Sequence, residues 1–230
     1  MDHISKHTIN FIQALAKNNN RKWFQANKAD YERSLEEVRA FGDEIIAEVS
    51  TFDMIDTPSG KKSIYRIYRD VRFSKNKVPY KTHWAGSLKR SGASRRGGMY
   101  YHLEPGNSFV AGGFWAPHKD DLLLIRKQIE ADADPLRKVL SSKGFKDNFG
   151  ELQGEQLKTS PKGFDKEHKN IDLLRFKQFL CYKKFSDKEM MSPGFVNKVA
   201  AAFEAMLPFL DVMTEYLTTD LNGVSTIEEA

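Results

Sequence analysis

Between Pro58 and Pro117 the hydrophobic period of the chain changes from helical to alternating and back, and any fold must accommodate that change. Upstream, Ser5 is placed to cap a helix carrying Ile9, Ile12, Leu15 and Ala16 on one face, and Asn18-Asn19-Asn20 ends it. A second helix is expected from about Lys28 to Ser50, striped by Tyr31, Leu35, Val38, Ile45 and Val49, with Trp23 and Phe24 plugging the junction. Pro58-Ser59-Gly60 then opens four short alternating runs at 64–73, 84–90, 99–104 and 108–115, for which a meander is the simplest arrangement. Glu104-Pro105-Gly106-Asn107 suits a type II turn, and Gly112-Gly113 marks a place where another backbone or a ligand comes close. Helical spacing returns after Pro117 with Leu122, Leu123, Ile125 and Ile129 behind an Asp120 cap, then from Asp134-Pro135 until Gly144. A strand follows at Gln178–Lys183, and a last helix from Ser192-Pro193 aligns Phe195, Val199, Phe203, Met206, Leu210 and Met213.

These runs predict an α+β fold: a mainly antiparallel sheet from residues about 64–115 plus a later strand, covered by N-terminal and C-terminal helices. One domain over 1–218 is expected, with a polar tail at 219–230. No apolar run approaches the roughly 18 residues that span a bilayer. The first residues lack the basic and apolar regions of a secretion signal, and the single cysteine, Cys181, has no intrachain partner. A cytoplasmic setting is the expectation.

Charge is unevenly distributed. Residues 61–96 hold twelve Lys and Arg against one acid, a net of +11 within a chain of net +5, so the remainder carries −6. The densest part, Ile64 to Trp84, interleaves Arg66, Arg69, Arg72, Lys75, Lys77 and Lys81 with aromatics and is relieved only by Asp70. Single-signed, Arg-rich and aromatic-rich segments suit phosphate contacts and base stacking. The candidate ligand-binding residues are therefore Arg66, Arg69, Arg72, Lys75, Lys77, Tyr80, Lys81 and His83, with Tyr68, Tyr80 and Trp84 offering faces for stacking. The implied partner is nucleic acid or a phosphorylated small molecule, with no membrane. A second reading makes the arginines architectural, pairing with acids to lock sheet to helices; solvent-facing, unpaired side chains would separate binding from architecture.

An enzymatic reading rests on Asp70, His102 and Glu104. By the period-two rule Tyr100, His102 and Glu104 share a strand face, where a His and a Glu two apart serve as acid and base, as two metal ligands, or as partners of a cross-strand cation. Two ligands do not make a metal site, and His83 and His118, the only further nitrogen donors considered, lack metal-motif spacing, so neither metal nor cofactor is expected. No Walker loop or dinucleotide fingerprint occurs. Cys181, between Leu180 and Tyr182, is expected to be a buried apolar residue.

The run R-x-x-R-D-V-R-F-S-K-N-K-x-P-Y-K from Arg66 to Lys81 resembles the signature of the domain of unknown function 2461 family. So do N-N-x-R-K-W-F-Q-A-N-K-x-x-Y from Asn18, Y-Y-H-L-E-P-G from Tyr100, G-G-F-W-A-P from Gly112, L-K-T-S-P-K-G-F-D from Leu157 and D-L-L-R-F-K from Asp172. The resemblance spans roughly residues 5 to 215 in order. Because the family has no assigned activity, it implies a common fold but no substrate and no catalytic residue.

Overall fold

A computed structural model describes residues 2–227. Among them ten helices accompany one four-stranded antiparallel sheet, about 46% helix and 16% strand, with helices packed on the sheet. The α+β expectation holds. The strands β1 (Trp84–Lys89), β2 (Gly98–Leu103), β3 (Ser108–Phe114) and β4 (Phe179–Phe185) lie in the order β1-β2-β3-β4, so the meander continues into the later strand. Four helices precede β1: α1 (Lys6–Lys17), α2 (Arg21–Ala26), α3 (Lys28–Val49) and the single turn α4 (Gly60–Ser63). Between β3 and β4 come α5 (Lys119–Ala131), α6 (Asp134–Ser141), α7 (Lys143–Phe149) and α8 (Ile171–Leu174); α9 (Asp187–Met190) and α10 (Phe195–Thr218) follow β4.

The chain divides into two compact units. One takes residues up to Lys89, Tyr100–Val110 and Lys184–Ala201; the other takes Arg90–Met99, Ala111–Lys183 and the residues from Ala202 on. In the first, Ser5 caps α1 and is itself held by the buried Glu37 of α3, whose Oε2 accepts from the Ser5 hydroxyl at 2.6 Å. Ile9, Ile12 and Leu15 are buried as expected, but Phe11 joins them while Ala16 is exposed. Asn20 starts α2, a short helix where the sequence predicts only a plugged junction, by accepting from Trp23 N–H at 2.9 Å. Phe195 stacks on Phe41 with centroids 5.5 Å apart.

The second unit is held by Arg90 and Arg96, two cations of the basic stretch 61–96, and by Arg126. Arg90 is buried and donates to Asp211 at 2.7 Å, and Arg96 donates to Asp121 at 2.6 Å. Arg126 donates to the carbonyls of Leu174 and Phe176. Cys181 is fully buried, which pushes its thiol up to about 12 and makes it a core residue as expected. Gly144, expected to end a helix, instead lies inside α7, which begins because Ser142 accepts from Phe145 N–H.

Residues 64–73 are not a regular strand. Ile64 bridges Gly86 and Tyr68 bridges Tyr80, and the chain between Arg69 and Val78 turns back on itself. Two side chains divert the backbone: Asp70 Oδ1 accepts from Arg72 N–H at 3.2 Å and Asn76 Oδ1 from Val78 N–H at 3.0 Å, local turns that compete with a ladder. The Glu104–Asn107 turn closes as expected, with Gly106 at φ 77 and Asn107 N–H on Glu104 O at 2.9 Å.

Gly113 has φ 123, and a Cβ there would lie 2.1 Å from Phe179 O. Gly113→Ala is therefore expected to cost about 3 kcal/mol or more in urea denaturation, since neither backbone nor neighbour can yield. The α9 capping box gives a pH-dependent counterpart. Hydrogen bonds from the Ser186 backbone and hydroxyl, then from Lys198, hold the Glu189 carboxyl down from 4.5 to about 2. A folded value below the unfolded one means that this stabilisation is complete above pH 4.5 and lost as pH falls towards 2. In acid denaturation Glu189→Gln should remove that part of the pH sensitivity and lower stability at pH 7.

Candidate functional site

Two clusters in the first unit bear chemistry. The first is the hairpin from Ile64 to Lys81. Its base is closed by Arg69 N–H on Pro79 O at 2.9 Å and Lys81 N–H on Ile67 O at 2.8 Å, with Ile67 buried. Asn19 completes it as a strand would: its side-chain amide donates to Tyr80 O at 2.9 Å and accepts from Tyr80 N–H at 3.1 Å. Phe24 of α2 stacks on the Tyr80 ring with centroids 4.0 Å apart and planes at 13°. Tyr80 and Trp84, expected to offer stacking faces, are instead buried at 5% and 1% exposure. Tyr80 therefore holds the hairpin to the helices.

Beyond that base the side chains face solvent. Arg66 and Lys75 are exposed and make no hydrogen bond or ion pair among the described residues. Arg69 donates to Val78 O at 3.1 Å and Lys77 to Val71 O at 2.9 Å, so both brace the loop. Arg72 forks onto Asp70 through Nε and Nη2, at 3.0 and 2.7 Å, and this pairing lowers the Asp70 carboxyl below its usual value. Tyr65, Tyr68 and Phe73 supply exposed aromatic area, Phe73 at 95%. Lys81 sits over the Tyr65 ring at 5.5 Å, and partial burial followed by the charge of Arg66 lowers its pKa.

The second cluster lies on β2. Tyr100, His102 and Glu104 do share a face: Tyr100 Oη is 2.9 Å from His102 Nδ1, and His102 Nε2 is 3.1 Å from Glu104 Oε2. Asn107 Nδ2 donates to the same carboxylate oxygen at 2.8 Å. His102 is buried between the ring of Phe109, 4.7 Å away, and the ring of His83, 4.2 Å away. Burial, then the nearby His102, pushes His83 down to about 4. Burial also lowers His102, outweighing the pull of Glu104. Partial burial pushes Glu104 up, but its bonds from Asn107 and His102 prevail and leave it below its usual value. At neutral pH the cluster is two uncharged imidazoles and a carboxylate, so the His102–Glu104 contact is a hydrogen bond rather than an ion pair. Glu104 and Thr82 also line an open cavity of about 400 Å³ with Ile12, Gln13, Lys17 and Pro105.

The structure thus joins His102 to Glu104 and adds His83, while Asp70 contacts neither, being engaged by Arg72. His118 caps α5 and pairs with Asp120. In the sequence His83 and His118 stand as further nitrogen donors without metal-motif spacing, and the structure brings only His83 to the cluster among the described residues. The informative signal was its place immediately before β1, the strand that neighbours β2. Asn19 carried no local signal at all, lying sixty-one residues from Tyr80.

The family described as "Conserved hypothetical protein (DUF2461)" matches residues 7–211. The chain belongs to the DUF2461 family. The match takes in the DUF2461 segments that build both clusters, from α1 through most of α10. No curated protein and no solved structure matches the chain. No helix among the described residues is long and apolar enough to cross a membrane.

The hairpin anchor makes a direct prediction. Asn19→Ala leaves the N–H and carbonyl of Tyr80 without their partner and is expected to cost about 1–3 kcal/mol. Limited trypsin digestion should then cut faster at Lys75 and Lys77 than in the wild type.

Proposed function

We propose that the protein binds a polyanion, with single-stranded nucleic acid the best match, through the hairpin at residues 64–81. The observation that carries this reading is the exposure of Arg66 and Lys75, with no hydrogen bond or ion pair to either among the described residues, beside the exposed rings of Tyr65, Tyr68 and Phe73. Cations held next to aromatic faces contact phosphates and stack on bases without needing a particular sequence. The architectural role belongs to other arginines: Arg90 and Arg96 pair with Asp211 and Asp121, and Arg72 with Asp70. Arg69 and Lys77 keep the loop in shape, while Arg66, Lys75 and Lys81 meet the ligand. A cytoplasmic setting suits such a ligand. A hydrolase built on Asp70 together with His102 and Glu104 is less well supported, because Asp70 is turned to Arg72.

Fluorescence anisotropy with a labelled fifteen-nucleotide single strand tests the reading. Wild type should bind at low salt and weaken steeply as salt rises, with a log–log slope of about −0.7 for each phosphate contacted. Arg66→Ala/Lys75→Ala should bind more weakly and lower that slope by roughly 1.4, two contacts' worth, with circular dichroism unchanged. Phe73→Ala should reduce affinity without changing the slope. Absence of wild-type binding at low salt, or a slope the double variant leaves unaltered, would overturn the proposal.

A further inference from the structure

The donors of His83, His102 and Glu104 all lie within 4.8 Å of one another. Two ligands about 2.1 Å from a common ion stand roughly 3–3.5 Å apart. His102 Nε2 and Glu104 Oε2, at 3.1 Å, already have that separation, and the half-buried His83 places a nitrogen within 4.8 Å of both. We propose that these three residues form a site for a divalent transition metal, zinc being the best match, with a coordination position open towards the adjoining cavity.

The donor set carries the choice of metal. Two imidazoles and one carboxylate suit zinc and its first-row neighbours, whereas calcium and magnesium take oxygen ligands in greater number. The surroundings are those a metal-ligating histidine requires. With Nε2 on the ion, His102 Nδ1–H donates to Tyr100 Oη, 2.9 Å away, which fixes the tautomer and the ring's orientation. Phe109 backs the same ring at 4.7 Å, and Asn107 holds the Glu104 carboxylate at 2.8 Å. His83 enters from just before β1, His102 from within β2 and Glu104 from the turn after it, so the pairing of two rigid strands assembles the set.

Three protein ligands leave a tetrahedral ion one position short, the arrangement that distinguishes reactive from purely structural zinc. Glu104 lines the open cavity of about 400 Å³, which also carries Lys17 and Thr82. Water or a small anion in that cavity lies beside the Glu104 carboxylate. The site is independent of the hairpin's polyanion binding, and either can fail without the other.

The test is zinc titration of the purified full chain, first dialysed against a chelator, in competition with a chromophoric chelator. Wild type should take up one zinc per chain with a dissociation constant in the micromolar range or below. Glu104→Gln, which preserves size, and His83→Ala should each weaken zinc at least tenfold with circular dichroism unchanged. Tyr100→Phe, which removes only the hydroxyl opposite Nδ1, should weaken it by about tenfold to a hundredfold. Cobalt substituted for zinc should give the visible absorption of a four-coordinate site, lost in Glu104→Gln. Failure of wild type to compete for zinc, or equal affinity in wild type and the folded Glu104→Gln protein, would overturn the proposal.

Discussion

The first unit depends on a bond that looks like secondary structure but is not. The Asn19 side-chain amide offers one donor and one acceptor at the spacing of a backbone edge, and Tyr80 uses both. The exchange ties a hairpin carrying six of the chain's clustered cations to the α1–α2 junction, and the Phe24–Tyr80 stack packs beside it. The clamp opposes the mutual repulsion of the like charges from Arg66 to Lys77, together with the backbone bonds at the base and the braces from Arg69 and Lys77 to loop carbonyls. With it, repulsion acts only at the tip and keeps the cations extended into solvent.

On the neighbouring strand, polar order comes from a different source. The Tyr100–His102–Glu104 series is a consequence of strand periodicity, which puts alternate residues on one face, and of a tight Pro-Gly turn that brings Asn107 back onto the carboxylate. Burial keeps both imidazoles uncharged, so the group can exist without the repulsion that two imidazolium rings 4.2 Å apart would suffer. Two uncharged imidazoles and a hydrogen-bonded carboxylate beside an open cavity are compatible with both stability and ligation.

Much of this was legible in the sequence because its signals are local. Period two placed Tyr100, His102 and Glu104 together, Pro105-Gly106 announced the turn, and Gly112-Gly113 marked the close approach of Phe179. What was not legible depends on pairing between distant residues or on side chains that mimic backbone. Residues 64–73 alternate like a strand, yet Asp70 and Asn76 capture nearby N–H groups and bend the chain. Tyr80 has the composition of a stacking platform, but Phe24, fifty-six residues earlier, covers it. Counting charge similarly overstated the basic field, since Arg90 and Arg96 are occupied by acids more than twenty residues away.

Amide hydrogen exchange, read residue by residue, addresses the anchored hairpin most directly. The amides of Arg69, Tyr80 and Lys81, bonded to Pro79 O, Asn19 Oδ1 and Ile67 O, should exchange slowly, while those of Lys75, Asn76 and Lys77 exchange near the unfolded-chain rate. Fast exchange at Tyr80 and Lys81, as fast as at the tip, would contradict a clamped base and remove the platform on which the exposed cations are displayed.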